Sequence, residues 1–171
     1  MSLLSDRLTD LPAPDGTARA RIRSRADSVL RPTGALARLD DIAVWKAGWQ
    51  RTASPTISRP VALVFAGDHG VAAAEVSSYP TDVTAAMLNA TQQGLATINA
   101  FADAAGATVT AVDVGVGRPT ADMRHESALT TERFDEITAT AFAAVNDLDT
   151  DMLILGELGI GNTTAAATVT A

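Results

Sequence analysis

The sequence contains no cysteine among its 171 residues. Disulfide bonds, cysteine metal sites and cysteine nucleophiles are therefore excluded, and nothing in the composition points to an oxidising compartment. No apolar run approaches the length of about 18 residues that a membrane-spanning helix needs. The N-terminal stretch MSLLSDRLTDLPAPDG contains acids and prolines where a signal peptide needs an apolar run. These features predict a soluble, cytoplasmic protein with no membrane partner.

Aromatic side chains are scarce, at 4% of the sequence, and much of the 47% hydrophobic content is alanine. The secondary-structure elements are therefore expected to pack closely through small side chains. Basic residues are outnumbered, with 13 Lys and Arg against 20 Asp and Glu, for a net charge of −7. Such a chain repels nucleic-acid backbones, so no nucleic-acid partner is predicted. A small phosphorylated substrate is still compatible, because backbone amides bind phosphate locally.

Three short apolar runs alternate with segments of helical periodicity over residues 59–171. The runs at 60–66, 108–114 and 151–155 are predicted strands, and the first suits a strand buried on both faces. Strands separated by helices are typical of parallel β-α-β units. The sequence therefore predicts an α/β fold with a mostly parallel sheet and flanking helices (Rossmann-like).

Residues 1–58 are predicted to form a helical segment. Its second helix is predicted over 35–50, with Asp40 and Asp41 facing solvent. Trp45 and Trp49 share a face of that helix, which predicts burial against another domain or subunit. Four arginines of the first helix are predicted to be solvated: Arg19, Arg21, Arg23 and Arg25.

Two local signals concern where helices stop. The helical pattern over 82–105 is weakened at Gly94, which is expected to divide it into two helices. The sequence predicts the start of a helix at residues 165–171. These residues contain no signal that ends a helix, since they include no glycine cap, terminal cation or proline. The chain is therefore expected to be a fragment that ends inside an element.

Glycine-rich segments follow the predicted strands, at the edge where open parallel sheets bind ligands. The richest is 156–164, whose glycines permit tight turns and close approach to a ligand. Asn162, Thr163 and Thr164 lie at the start of the next predicted helix, where free amides and the helix dipole attract an anion. A plain turn with a capping Asn or Thr explains these residues equally well. The spacing matches neither a Walker phosphate loop nor a dinucleotide fingerprint.

Several side chains at the predicted strand ends are candidate functional groups. Glu157 could act as a general base, bind a hydroxyl group or simply face solvent. Asp68 and His69 form an acid–imidazole pair at the neighbouring strand end. No third ligand is evident beside them, so no metal site is predicted and loop orientation through hydrogen bonds is favoured. Tyr79 could stack on a flat heterocycle or pack over the helix that follows it.

Four segments, in this order, resemble the nicotinate-nucleotide:dimethylbenzimidazole phosphoribosyltransferase family. They are RPTGALARL at 31–39, VFAGDHGV at 64–71 followed by VSSYP at 76–80 and VT at 83–84, DVGV at 113–116, and GELGIGNTTAAA at 156–167. The corresponding family motif for the last segment reads GEMGIGNTTAAAA. The combination is highly specific, and it covers the chain from Leu30 to Ala171.

The resemblance implies an α/β domain plus a small helical domain, assembled as a homodimer. Residues 1–58 would then contribute to the small domain, and residues 59–171 would be an incomplete N-terminal part of the phosphoribosyltransferase domain. The implied reaction transfers phosphoribosyl from nicotinate mononucleotide to 5,6-dimethylbenzimidazole. Its products are nicotinate and α-ribazole phosphate, which supplies the lower ligand of cobalamin, and no cofactor is implied.

The resemblance also implies roles for particular residues. An oxocarbenium-like sugar forms while the attacking imidazole loses a proton, and a carboxylate suits both tasks. The family's main base lies in its C-terminal half and is absent here, whereas Glu157 matches a second active-site glutamate with a supporting role. The implied substrate-binding positions are Gly156, Gly159, Gly161, Asn162, Thr163, Thr164, Asp68, His69, Tyr79, Pro80 and Met87.

Two other interpretations stay open at this point. The chain could be a non-catalytic binding or assembly module that kept the mononucleotide-binding segment. It could also be a sister transferase that uses another base. In either transferase case the 171-residue chain is expected to be inactive alone. Its open sheet edge and apolar faces are expected to favour association.

Overall fold

A computed structural model of the chain describes residues 8–9, 11–32 and 34–171. The beginning of the predicted segment 1–58 and Thr33, in the RPTG motif, lie outside the described residues. The chain divides into two compact units, which are Arg7–Ile57 and Ser58–Ala171.

The N-terminal unit contains helices α1 (Gly16–Ser28) and α2 (Arg38–Gln50). Asp15 caps α1, because its Oδ1 atom accepts hydrogen bonds from two first-turn amides at 2.8 and 3.0 Å. The backbone N–H of Asp15 also donates to the Gly48 carbonyl at 2.8 Å, which ties the start of α1 to α2. The four arginines of α1 are exposed, so the predicted solvated helix is confirmed.

Two details of this unit differ from the predictions. Helix α2 begins at Arg38 instead of Ala35, because the chain before it forms turns and Ala37 has a φ of +40°. The prediction that Asp40 and Asp41 face solvent is confirmed for Asp41, which is exposed, and only in part for Asp40, whose side chain is 29% exposed. Its Oδ2 atom lies 2.7 Å from Arg31 Nη2, a partner outside the helix that helical periodicity does not reveal.

The tryptophans of α2 share one face, and both are about half exposed. Trp45 is 52% exposed, Trp49 is 48% exposed, and Ile42 on the same helix is 42% exposed. Burial of this face against another domain or subunit stays a prediction.

The second unit is built around a parallel sheet of β1 (Pro60–Gly67), β2 (Thr108–Gly115) and β3 (Met152–Leu158). The strand order is β2-β1-β3, so the central strand β1 pairs with both neighbours. Strand β1 is the continuous apolar run, and its residues 61–64 are all buried. The parallel sheet with flanking helices confirms the predicted α/β class.

The connections between the strands are helical. Helices α3 (Asp82–Gln92) and α4 (Thr97–Ala104) join β1 to β2, α5 (Thr131–Asn146) joins β2 to β3, and α6 (Asn162–Thr170) follows β3. The break between α3 and α4 contains Gly94, which confirms the predicted division of that segment. Among the helices of the described residues, none is long and apolar enough to cross a membrane.

Strand β3 forms one edge of the sheet and presents apolar side chains to solvent. It pairs with β1 along one side, and Ile154 and Leu155 are 48% and 70% exposed. Unpaired strand edges with apolar side chains are surfaces on which chains associate. Association through this edge stays a prediction.

Candidate functional site at the carboxyl edge of the sheet

The carboxyl ends of the three strands meet at one edge of the sheet, because the strands are parallel. The register pairs Gly67 of β1 with Gly115 of β2, and Phe65 of β1 with Glu157 of β3. The segments that follow these strand ends therefore lie side by side. They are 67–70, 115–117 and 156–164, as the sequence predicts.

The glycine loop after β3 packs directly on the end of β1. A Cβ atom at Gly159 would lie 2.2 Å from the Gly67 carbonyl oxygen and 3.1 Å from two ring atoms of His69. A Cβ atom at Gly161 would lie 3.3 Å from Val71. Gly161 also has a φ of +91° at the N-cap of α6, a conformation that favours glycine. Close backbone packing at Gly159 and the positive φ at Gly161 therefore favour glycine at these positions without any ligand.

The backbone amides at the start of α6 are largely occupied. The N–H of Asn162 donates to the Gly159 carbonyl at 3.1 Å, and the N–H of Thr163 donates to Asn162 Oδ1 at 2.6 Å. The N–H of Ala165 donates to the Gly161 carbonyl at 3.1 Å. Within the described residues, no acceptor faces the N–H of Thr164. An anion at this helix start therefore finds fewer free amides than the sequence suggests.

Glu157 lies near the end of β3, and Asn162 binds its carboxylate. The Nδ2 group of Asn162 donates to both carboxylate oxygens of Glu157. The Oδ1 atom of Asn162 accepts from the backbone N–H of Thr163 and, at 3.1 Å, from its hydroxyl. Glu157 is exposed at the ligand-binding edge of the sheet. A carboxylate so placed suits proton transfer or stabilisation of a developing cation.

Helix α3 is connected to the same loop through Thr84. This side chain is fully buried, and its hydroxyl oxygen accepts from the N–H of Ile160 at 3.2 Å. The bond holds α3 against the glycine loop. Sequence reasoning included Thr84 in the family motif but assigned it no role in the site.

Three of the implied substrate-binding residues, Tyr79, Pro80 and Met87, lie before and within α3. Tyr79 is 67% exposed and Met87 is 37% exposed. Tyr79 and Pro80 line an open hollow of about 740 Å³ formed by Ala72 and residues 75–81. Met87 is not among the lining residues of this hollow. Of these three residues, Tyr79 and Pro80 therefore line one hollow and Met87 does not.

Asp68 holds the loop that follows β2. Its Oδ2 atom accepts from the N–H of Gly117 at 2.7 Å, and its carbonyl accepts from the N–H of Thr120 at 3.1 Å. The hydroxyl of Thr120 in turn accepts from the N–H of Gly70 at 3.1 Å. These bonds match the loop-orienting interpretation of Asp68. A contact between Asp68 and a substrate stays a prediction.

A second pocket, of about 510 Å³, lies between this loop and α5, and its lining includes His69, Arg118 and Arg133. The Nη1 atom of Arg133 lies 2.7 Å from Glu136, and its Nη2 atom donates to a carbonyl of β2 at 2.9 Å. The hydrogen bond from Arg133 lowers the pKa of Glu136. Sequence reasoning missed both arginines, because no motif marks them. Across the described ranges, no group of three or more His, Asp or Glu residues could hold a metal ion.

The profile of a protein family described as phosphoribosyltransferase matches residues 11–171. The chain belongs to this family. Among curated phosphoribosyltransferases, it is 43% identical to the nicotinate-nucleotide–dimethylbenzimidazole enzyme of Ruegeria pomeroyi over 164 residues, 96% of this chain. It is 44% identical to the enzyme of the same name from Novosphingobium aromaticivorans, again over 96% of this chain. The resemblance inferred from the four sequence segments is confirmed.

Solved phosphoribosyltransferase structures share the fold as well. The crystal structure of nicotinate-nucleotide–dimethylbenzimidazole phosphoribosyltransferase from Thermus thermophilus superposes with a TM-score of 0.82 at 35% identity, over 92% of this chain. The chain spans about half the length of the curated relatives it matches, namely 48% of the two enzymes above. It spans 53% of the Thermus chain.

Proposed function

We propose that the whole protein transfers phosphoribosyl from nicotinate mononucleotide to 5,6-dimethylbenzimidazole and so forms α-ribazole phosphate for the lower ligand of cobalamin. Relatives at 43% and 44% identity bear the name of this transferase. The observation that carries the proposal is the glycine loop 156–164. There the exposed carboxylate of Glu157 lies beside the N-terminus of α6 at the ligand-binding edge of the sheet.

In the proposed reaction, a nitrogen of dimethylbenzimidazole bonds to the anomeric carbon of the ribose. The bond from that carbon to nicotinate breaks, and its electron pair leaves with the nicotinate nitrogen. The configuration inverts, and the imidazole loses its N–H proton. Glu157 stabilises the positive charge that develops on the sugar. The group that takes the proton is expected from the part of the family that this chain does not span.

The proposed substrate contacts follow the geometry of the loops. The N–H of Thr164, which has no acceptor among the described residues, is placed to bind the phosphate of the mononucleotide. The hydroxyl of Thr163 is proposed to join it by exchanging its hydrogen bond to Asn162 Oδ1 for one to the phosphate. The open hollow beside Tyr79 and Pro80 is proposed to receive the flat base. The remaining proposed contacts to ribose, phosphate or base are Gly156, Gly159, Gly161, Asp68, His69 and Met87. Asn162, which the family resemblance places with them, has its side chain bonded to Glu157.

The proposal includes a cytoplasmic homodimer. The exposed tryptophan face of α2 and the open edge of β3 offer apolar surface for association. Nicotinate mononucleotide is a charged, phosphorylated metabolite that does not cross membranes freely, so the enzyme is expected where this substrate is made.

The test compares two purified proteins, the 171-residue chain and the product of its complete reading frame. Each is incubated with nicotinate mononucleotide and dimethylbenzimidazole, and α-ribazole phosphate is measured by mass spectrometry. The shorter chain is expected to form none. In an active longer protein, Glu157→Gln is expected to lower kcat on the order of 100-fold, because charge stabilisation at the sugar is lost.

Three outcomes would change the proposal. Product formation by the 171-residue chain would contradict its expected inactivity. Binding of the mononucleotide without transfer, in the product of the complete reading frame, would favour a binding module. Transfer to other bases but not to dimethylbenzimidazole would identify a sister transferase.

A further inference from the structure

The side-chain amide of Asn162 has a defined orientation. The backbone N–H of Thr163 is a donor only, so the Asn162 atom that it meets at 2.6 Å is the oxygen. The hydroxyl of Thr163 adds a second donor to the same oxygen at 3.1 Å. The Nδ2 group is therefore turned away from Thr163 and toward the carboxylate of Glu157. The orientation follows from the surrounding donors and acceptors.

This orientation leaves Asn162 poorly suited to bind a phosphate. The side-chain hydrogens that could reach an anion belong to Nδ2, which lies against both oxygens of Glu157, so a phosphate there would meet a carboxylate of the same charge. Its backbone N–H donates to the Gly159 carbonyl. A phosphate ligand at this position would have to displace a carboxylate that lies five residues earlier in the chain.

The same contacts restrict the carboxylate. Glu157 is exposed, and an exposed glutamate otherwise samples many rotamers at little cost. Asn162 is the first residue of α6, and its backbone N–H donates to the Gly159 carbonyl, so the packed glycine loop holds its main chain in place. Its Nδ2 group meets both carboxylate oxygens, which restrains the rotation of the carboxylate as well as its position.

We propose that Asn162 is a positioning residue that aims the carboxylate of Glu157 at the reacting sugar. This inference rests on the proposed transfer of phosphoribosyl and assigns Asn162 a role through Glu157. Small displacements of a catalytic group lower the rate steeply. The loss of Asn162 is therefore expected to lower kcat and to leave the KM for nicotinate mononucleotide nearly unchanged.

The decisive variant is Asn162→Asp in the product of the complete reading frame. Aspartate keeps the oxygen that accepts from Thr163, and an acid is favourable in the first turn of a helix, so the fold is retained. Its second oxygen faces Glu157 in place of Nδ2 and repels the carboxylate. We expect kcat to fall about 100-fold for Asn162→Asp and about 10-fold for Asn162→Ala, with KM changed less than about threefold.

A double substitution shows whether Asn162 acts through Glu157. In a Glu157→Gln background, Asn162→Ala is expected to lower kcat by less than about twofold, because the group being positioned is already lost. Thr168→Ser, on the exposed side of α6, is the matched control and is expected to leave kcat and KM unchanged. A rise in KM of about 10-fold with unchanged kcat in Asn162→Ala would identify a phosphate ligand instead, and an equal loss of kcat in both backgrounds would overturn the inference.

A second readout does not depend on turnover. In a protein labelled with the nitrogen isotope used for NMR, the side-chain amide resonances of Asn162 are expected to shift in Glu157→Gln and to stay in place in Thr168→Ser. Unshifted resonances in Glu157→Gln would show that the pair is not formed and would overturn the inference. The absence of product from the unsubstituted protein would instead refute the proposed function, and the amide resonances would then decide whether Asn162 holds Glu157.

Discussion

Replacing Gly159 with alanine tests how closely the glycine loop packs on the end of β1. The added Cβ atom would lie 2.2 Å from the Gly67 carbonyl oxygen and 3.1 Å from Nε2 and Cδ2 of His69. Carbon and oxygen atoms that are not bonded approach to about 3.3 Å. The loop or the strand end must therefore move by about 1 Å. The atom in the way belongs to the backbone of the central strand, so a change of rotamer cannot relieve the contact.

The expected effect is a loss of stability of about 2 kcal/mol, the middle of the range for overpacking a well-packed site. For a chain of this length, such a loss lowers Tm by roughly 4–8 °C. Urea unfolding followed by circular dichroism measures the free energy, and a differential scan measures Tm. Affinity for nicotinate mononucleotide, measured by calorimetry, is expected to fall in parallel because the loop carries the proposed phosphate contacts.

Gly67→Ala is the matched control at the same edge. Its Cβ atom would have Val114 as its nearest neighbour, at an ordinary 3.5 Å. The control is expected to cost less than about 1 kcal/mol, since no backbone has to move. Equal stabilities for Gly159→Ala and the unsubstituted protein would refute the reasoning. An equal loss for both alanine variants would also refute it, because the cost would then come from losing a glycine rather than from the close approach.

Two further predictions concern contacts that position the loops. Thr84→Val is expected to lower the free energy of unfolding in urea by about 1–3 kcal/mol, because the N–H of Ile160 loses its acceptor. Thr84→Ser keeps the hydroxyl and is the control. A valine variant as stable as the serine variant would contradict this role. A hydrogen bond from Arg124 lowers the pKa of Asp122 to about 2, from an ordinary value of 3.8. The ionised pair therefore stabilises its loop at pH values above 3.8, and the contribution is lost as the pH falls through about 2. A carbon-detected NMR titration of Asp122 should show this midpoint, and Arg124→Gln should raise it toward 3.8; an unchanged midpoint would show that Arg124 is not the cause.

The local patterns of the sequence were sufficient for the element types. The apolar run of β1 and the break at Gly94 are both where the sequence predicts them. Helix starts were less predictable, as α2 shows, because the turn before Arg38 includes a positive φ at Ala37 that no residue type signals. The ion pair of Asp40 was missed for a related reason, since its partner lies outside the helical period.

For the candidate site as well, the sequence predicted some features and not others. The sequence indicated the loops and their chemistry, since glycine density, Glu157 and the family motif are visible in one segment. It did not indicate the orientation of Asn162, which the family resemblance implied only as a substrate-binding position. That orientation depends on a rotamer set by Thr163 and on the path of the backbone between β3 and α6.

By itself, therefore, the sequence determined the α/β class, the order of the strands and helices along the chain, and the family. These properties follow from residues near one another in the chain, whose periodicity and turn chemistry are local. Only the tertiary structure decided that Asp68 holds Gly117, 49 residues away, and that Thr84 holds Ile160, 76 residues away. Such hydrogen bonds depend on strand register and helix placement to within a few tenths of an ångström, because a bond made at about 3 Å is lost well before about 4 Å.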